Sequence, residues 1–309
     1  MSEEPTGDRV ARSCDGCGAT LWLPRERVSD RCSYCDSKLV DTTADTVVDR
    51  VCPFRVPRRA AIERLRTHVA DAIWAPREIR RLARTGQLRA EEMRGVLVPF
   101  FAYAANTSSR WRARIGLHWW REEKVTVVRK GERVTETRRV QETEWFPLGG
   151  TAVGQWVDHL ECASNGLSSR EVAALARFDL GRAVAFDPRV VAGFDAELPT
   201  RSRDEVDARA EDSLRKLEAR RLERHVLPGD EPRLDTLACD IAIERAELVL
   251  VPVWVASYRY RGAVHRLLVH GQDGVCVGRP PISRAKVSLA AASLAALVIV
   301  VLWLAGVWS

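Results

Sequence analysis

The chain has 309 residues, 46% of them hydrophobic and 29% charged, a balance that suits a folded protein and excludes a disordered one. Its formal net charge of +6 arises from 48 basic and 42 acidic residues mixed along the chain, too small and too dispersed an excess to mark a nucleic-acid footprint by itself. Residues 1–13 are polar and acidic with no apolar core segment, so the eight cysteines are expected to meet a reducing compartment, where paired cysteines hold metal or do redox chemistry.

The first predicted element is a cysteine module. Cys14-Asp15-Gly16-Cys17-Gly18 and Cys32-Ser33-Tyr34-Cys35 are two CxxC turns with fourteen residues between them. Each turn presents two thiolates from one tight bend, and zinc takes four such ligands at the corners of a tetrahedron. The spacing predicts a structural Zn2+ site formed by Cys14, Cys17, Cys32 and Cys35 in a ribbon over residues 1–40. Leu21-Trp22-Leu23, then Pro24, fits a short hairpin joining the two turns. Four thiolates leave no open coordination position, so the metal is expected to supply folding energy rather than catalysis. A thioredoxin-like redox site would use one pair in a βαβ setting. Cys52, Cys162, Cys239 and Cys276 stand alone, mostly among apolar residues, and read as core or neutral positions.

Residues 41–56 read as a polar linker. A first α+β region over 57–199 begins with a helix from Pro57 to about Trp74, with Ile62, Leu65, Val69 and Ile73 on one face. A charged stretch, Pro76 to Arg94, leads into a buried strand at Gly95–Tyr103. Further strands are expected at Arg110–Trp120, Lys124–Arg129, Arg133–Trp145 and Thr151–Cys162, with Lys130-Gly131-Glu132 as a hairpin turn. Ser168-Ser169-Arg170-Glu171 is a capping box that opens a helix over Ser169–Arg177. A second region, 200–284, starts with a helix from Thr200 to about His225 whose apolar side is Val206, Ala210, Leu214 and Leu217. Then comes a strand at Leu248–Tyr258. Its Leu250-Val251-Pro252 and Tyr258 echo Leu97-Val98-Pro99 and Tyr103, which points to an internal duplication. A hairpin follows, turning at His270-Gly271-Gln272-Asp273-Gly274 and returning over Val275–Gly278.

Val287 to Trp308 carries no charge, and as a helix it would be roughly 33 Å long, against a hydrocarbon core of about 30 Å. Trp303 and Trp308 are placed as interfacial anchors, and Arg279, Arg284 and Lys286 precede the span. These features predict a tail anchor over 285–309 that contacts the lipid bilayer through residues 287–308. The protein is thus expected to be single-pass in the inner membrane with its body cytoplasmic. The expected fold class is α+β: a rubredoxin-like zinc ribbon, an antiparallel-sheet-rich α+β body with an internal duplication, and one C-terminal transmembrane helix.

The string Val251-Pro252-Val253-Trp254, Tyr258-Arg259-Tyr260-Arg261-Gly262, Val269-His270-Gly271-Gln272-Asp273-Gly274 and Gly278-Arg279-Pro280-Pro281-Ile282-Ser283, with Lys286, resembles a bacterial family. Its members carry a TFIIB-type zinc ribbon and are often labelled primosomal helicase-like proteins. The cysteine turns and the Gly95–Arg114 region extend the resemblance over most of the chain. His270, Asp273 and Phe101 stand where the family usually has Asn, Thr and Trp, at turn and packing positions. The resemblance implies membrane-associated protein partners of the phage-shock or SPFH type, and scaffolding rather than chemistry.

The sequence contains no GxxxxGK[ST] phosphate loop, so the helicase label finds no motor here, and no GxSxG, HExxH or DxDxDG pattern. The six histidines lack ligand spacing, and Asp158-His159 with Glu161 is the nearest approach to a polar cluster. No catalytic residue is predicted. The expected function is a membrane-anchored zinc-ribbon adaptor that binds proteins. The alternative is a tethered nucleic-acid-binding ribbon, resting on Arg12, Arg25, Arg27, Arg31, Arg55, Arg58 and Arg59.

Overall fold

The computed structural model describes residues 9–14, 16–24, 32–35, 37, 39–42, 48–87, 93–129, 132–175, 177–187, 194–261 and 263–304. Within these it describes the backbone alone at 9–10, 23–24, 39–42, 127–129, 132–134, 259, 263–264, 300 and 302–304. In chain order the elements are β1 (Arg9–Cys14), β2 (Thr20–Pro24), β3 (Leu39–Thr42), β4 (Arg50–Val51), α1 (Arg58–Asp71), α2 (Arg77–Arg84), β5 (Arg94–Arg129) and β6 (Glu132–Cys162). Then follow α3 (Ser169–Leu175), β7 (Val184–Ala185), β8 (Asp195–Leu198), α4 (Arg203–Arg221), β9 (Glu231–Tyr260), β10 (Ala263–His270), β11 (Cys276–Val277) and α5 (Arg284–Leu304).

The main path of the sheet runs β11-β10-β9-β5-β8-β2-β1-β3. It is mixed, which corrects the expected antiparallel body. β5 runs parallel to β8 through Val96↔Asp195 and Leu97↔Ala196, and β4 runs parallel to β9 through Arg50↔Val249 and Val51↔Leu250. Parallel neighbours need a long crossover, and the chain between the paired parts of β5 and β8 supplies one. The ribbon is likewise no separate bead. The free edge of β2 would expose unpaired backbone groups, and β8 pairs with it through Thr20↔Leu198, Leu21↔Glu197 and Trp22↔Ala196.

The chain forms two compact units, one of residues 1–101, 162–202 and 247–309, the other of 102–161 and 203–246. In the first, α1 buries Ala61, Leu65, Val69 and Ala70 against Trp254, Ala256, Leu267 and Val269. The expected face is thus rotated: Ile62 is half-buried, and Ile73 lies beyond the helix and is exposed. Trp254 Nε1 donates to the Val56 carbonyl at 2.9 Å, and the Phe54 ring packs on Phe194 and Trp254 at 4.3 and 4.6 Å. The capping box forms as read: the Ser168 amide donates to Glu171 at 2.8 Å, and the Glu171 amide to Ser168 Oγ at 3.4 Å. The turn after β10 is held by His270, whose Nδ1 accepts from the amides of Gln272 and Asp273 at 3.3 and 3.2 Å while Phe178 stacks on the ring.

In the second unit, α4 buries Val206, Ala210, Leu214 and Glu218, and a π-helical turn over Leu222–Val226 continues it. Leu222 and Leu227 pack on Trp111 and Ala113 of β5. The strands expected at Arg110–Trp120 and Lys124–Arg129 are parts of the single strand β5, and those at Arg133–Trp145 and Thr151–Cys162 are parts of β6. Residues 130 and 131 of the expected hairpin turn lie outside the described residues.

Leu97-Val98-Pro99 lies near the start of β5 and Leu250-Val251-Pro252 in the later half of β9, so the two echoing runs fall at different points along their strands. One further expectation is corrected. Among the described residues, no helix is long and apolar enough to cross a membrane. This overturns the transmembrane helix in the expected fold class and the single-pass, inner-membrane placement. α5 has 21 residues, and Arg284 and Lys286 in its first turn carry charge into the helix, which shortens its apolar part. The side chain of Trp303 and the whole of Trp308 lie outside what is described.

Candidate metal centre

Cys14 ends β1, and the chain bends at once into a turn that closes with hydrogen bonds from Gly18 N to Cys14 O at 2.9 Å and from Cys14 N to Ala19 O at 2.8 Å. Gly18 has φ +71°, a left-handed conformation that a side chain resists, which is why glycine follows the first cysteine pair. The second turn closes with Cys32 N donating to Ser37 O at 2.8 Å. A Cβ on Gly16 would collide with the Ser37 side chain and approach Cys35 Sγ, so the two turns are fitted to each other.

The four predicted ligands come together. Their sulfur atoms all lie within 4.8 Å of one another, with Cys14 Sγ 3.4 Å from Cys35 Sγ and Cys17 Sγ 3.6 Å from Cys32 Sγ. A tetrahedral ion with bonds of about 2.3 Å places its sulfurs roughly 3.8 Å apart, so the cluster has the size such an ion needs. Amide donors complete the fit, since thiolates are stabilised by N–H groups aimed at them. Tyr34 N points at Cys32 Sγ at 3.4 Å, and Cys14 receives bonds from the Cys17 and Gly16 backbone. Four cysteines close together could therefore hold a metal ion.

The electrostatics agree. Burial pushes the Cys14 thiol up to about 11, and the facing Cys32 sulfur, with burial, raises Cys17. Cys35 moves the other way: burial opposes ionisation, but the Ser37 hydroxyl and backbone, with the Cys14 and Cys17 thiols, outweigh it. Sulfurs packed this closely repel as thiolates, and a bound cation removes that repulsion.

The partners that the cysteine spacing does not reveal are the two residues inside the second turn. Ser33 Oγ donates to Asp195 Oδ2 at 2.5 Å, and Tyr34 Oη donates to Glu197 Oε2 at 2.6 Å. Asp195 and Glu197 both belong to β8, and all four side chains are buried. Ser164 Oγ donates to the other oxygen of Glu197 at 2.5 Å. Burial dominates and holds the Glu197 carboxyl up at about 7, although Ser164, Tyr34, Arg266 and Arg201 all favour its ionised form. Burial, then Glu197, raises the Tyr34 phenol well above its ordinary range, so Tyr34 stays a donor. The second cysteine turn is thus bolted to the sheet by its own side chains. The alternation of acids at 195 and 197 with Ala196 was the one visible signal, and it is weak.

In the second unit, His159 Nε2 lies 2.5 Å from Ser213 Oγ and 3.2 Å from Glu161 Oε1, while Ser213 Oγ donates to Glu161 at 2.6 Å. The polar cluster read in the sequence, Asp158-His159 with Glu161, misses Ser213, which α4 brings in. An activated serine needs its base oriented through the other ring nitrogen. Here Nε2 meets both partners and the hydroxyl donates to the carboxylate, an arrangement that ties helix to strand.

Comparison with known proteins adds one partial likeness. The chain is 56% identical over 39 residues to the uncharacterized protein YdjG of Bacillus subtilis (strain 168). The match spans 13% of this chain and 11% of that protein. No family model matches, and no solved structure matches.

Proposed function

We propose that the chain is a non-enzymatic adaptor in which a zinc ion, held by Cys14, Cys17, Cys32 and Cys35, fixes an N-terminal hairpin onto a sheet whose body binds other proteins. The convergence of four sulfurs at tetrahedral spacing supports this reading most directly. A site closed by four thiolates offers substrate no coordination position, and its neighbours Ser33 and Tyr34 are committed to buried carboxylates. The β5 and β6 strands also expose Leu117, Trp119, Trp120, Phe146 and Leu148, apolar area of the kind that protein interfaces cover. Proteins of the phage-shock and SPFH types are the first partners to test.

Purified protein should contain one zinc per chain, and affinity capture should recover the same partners repeatedly. A Cys32→Ser, Cys35→Ser variant should lose both. Absence of stoichiometric zinc from the intact protein, or partner capture indifferent to the double substitution, would overturn the reading. Nucleic-acid binding gains no comparable support: Arg58 Nε donates to the Met93 carbonyl, and Arg25, Arg27 and Arg31 lie outside the described residues.

A further inference from the structure

The turn between α1 and α2 meets the start of α5. Lys286 Nζ donates to the carbonyls of Ile73 at 2.8 Å and Ala75 at 2.6 Å, and the Ser283 amide donates to the Trp74 carbonyl at 2.8 Å. These bonds consume backbone oxygens and hold the turn in place. They leave its side chains outward: Ile73 is 71% exposed, Trp74 50% and nearby Ile282 56%. Folding gains little from large apolar side chains left in water, so a rigid turn that presents two of them beside a third needs another account.

The surrounding charge supplies it. α2 turns Ile79 and Ala83 inward, which leaves Arg77, Arg81 and Arg84 along its outer side. Arg284, also exposed, opens α5. Arg80 reaches back to the Ala70 carbonyl at 2.8 Å. Desolvation, then the nearby Arg80 and Arg77, lowers the Lys286 ammonium, which shows how closely the cations are gathered. Among the described residues, no ion pair engages Arg77, Arg81, Arg84 or Arg284, although Asp71 and Glu78 are exposed in the same region. Positive charge therefore exceeds negative around an apolar tip.

We propose that this corner is a docking surface for an anionic phospholipid membrane, with Ile73, Trp74 and Ile282 entering the headgroup layer and Arg77, Arg81, Arg84 and Arg284 meeting lipid phosphates. The contact is with the surface and requires no helix to cross. Tryptophan suits that depth because its ring is apolar and its N–H is polar. Guanidinium groups pair with phosphate oxygens in forked geometry, and cationic clusters gain from the negative potential of an acidic leaflet. A protein partner would fit the same charge, but tips as exposed as Ile73 protrude rather than line a groove, and a deformable layer receives protrusions without a matching pocket. The inference concerns a corner distant in sequence from the metal centre and stands apart from the adaptor reading.

The test is co-sedimentation of the full chain with phosphatidylcholine vesicles and with mixed phosphatidylcholine–phosphatidylglycerol vesicles. The mixed vesicles should bind at least about tenfold more tightly, and the preference should fade as salt screens the charges. Arg77→Glu with Arg81→Glu should abolish the preference, and Ile73→Ser with Trp74→Ser should weaken binding to the mixed vesicles. These side chains are exposed, so metal content and circular dichroism should be unchanged; Arg84→Glu serves where the double variant fails to fold. Equal binding to both vesicle types, an undiminished charge-reversed variant, or displacement from the mixed vesicles by polyglutamate at low excess would overturn the proposal, the last in favour of an acidic protein.

Discussion

Glu197 sits at 0% exposure with its carboxyl held up at about 7 by burial, against an ordinary value of 4.5. A raised carboxyl means that the folded chain keeps a proton the unfolded chain has already released. Stability from this group is therefore full below pH 4.5, falls as pH rises through about 7, and is constant above that. The loss is on the order of 3 kcal/mol. Glu197→Gln, which cannot ionise, should remove this component, so the stability difference between variant and parent measured by urea unfolding should swing towards the variant as pH rises. Parallel pH profiles would refute it. Comparing the two proteins at each pH also cancels the loss of metal affinity at low pH that both share. The cysteines beside this group were legible in the sequence because their chemistry is local, two ligands per turn. The Tyr34–Glu197 bond was not, because its partners stand 163 residues apart and neither period nor spacing links them.

The stripe on α4 advances four residues at a time, from Val206 to Ala210 to Leu214, and the next step is Glu218 rather than the apolar Leu217 that sequence favours. The helix buries the carboxylate because partners are waiting. Arg221 donates to both its oxygens at 2.6 and 2.8 Å, and Ser109 Oγ donates at 3.1 Å. Burial alone would raise Glu218; Arg221 foremost among its partners brings it below its ordinary value. Removing Arg221 leaves the buried Glu218 carboxylate without its main donor, and because Arg221 itself is only half-buried, Arg221→Ala should cost about 1–3 kcal/mol in urea unfolding. Arg221→Ala combined with Glu218→Leu should cost much less. Equal losses in the single and double variants would show that the pair carries no coupling. Strand existence was legible through alternation, but strand length was not. Pro147, Gly149 and Gly150 fall in the gap left between two expected strands, yet β6 runs through them. Gly150 is there for packing, since a Cβ at that position would meet Trp111 Cζ2 at 2.9 Å. No rule about turn residues distinguishes a glycine that ends a strand from one that admits an indole.

Across the whole molecule, the chain order conceals which parts share a core. The first unit gathers three separate stretches and the second two, so the linear regions suggested by composition cut across both. The C-terminal segment was read from its apolar run and flanking charges; α5 forms there, but among the described residues no helix is long and apolar enough to cross a membrane. Metal removal separates the units by consequence. In a ribbon of this size the energy of binding metal is energy of folding, so a chelator should melt the β1–β2 hairpin and the two cysteine turns. The loss should spread along β8, because β2 pairs with it and because Asp195 and Glu197 take Ser33 and Tyr34 as donors. Buried carboxylates that lose their donors are destabilising in themselves. The second unit contains none of the four cysteines, and its core is its own, Trp111 and Ala113 against Leu222 and Leu227. Hydrogen exchange after chelation should therefore show protection lost in residues 9–24, 32–42 and 195–198 and kept in 203–221. Uniform loss along the chain would mean that the metal supports one cooperative body. Unchanged protection in 195–198 would mean that the bolts at Ser33 and Tyr34 carry no strain between ribbon and sheet.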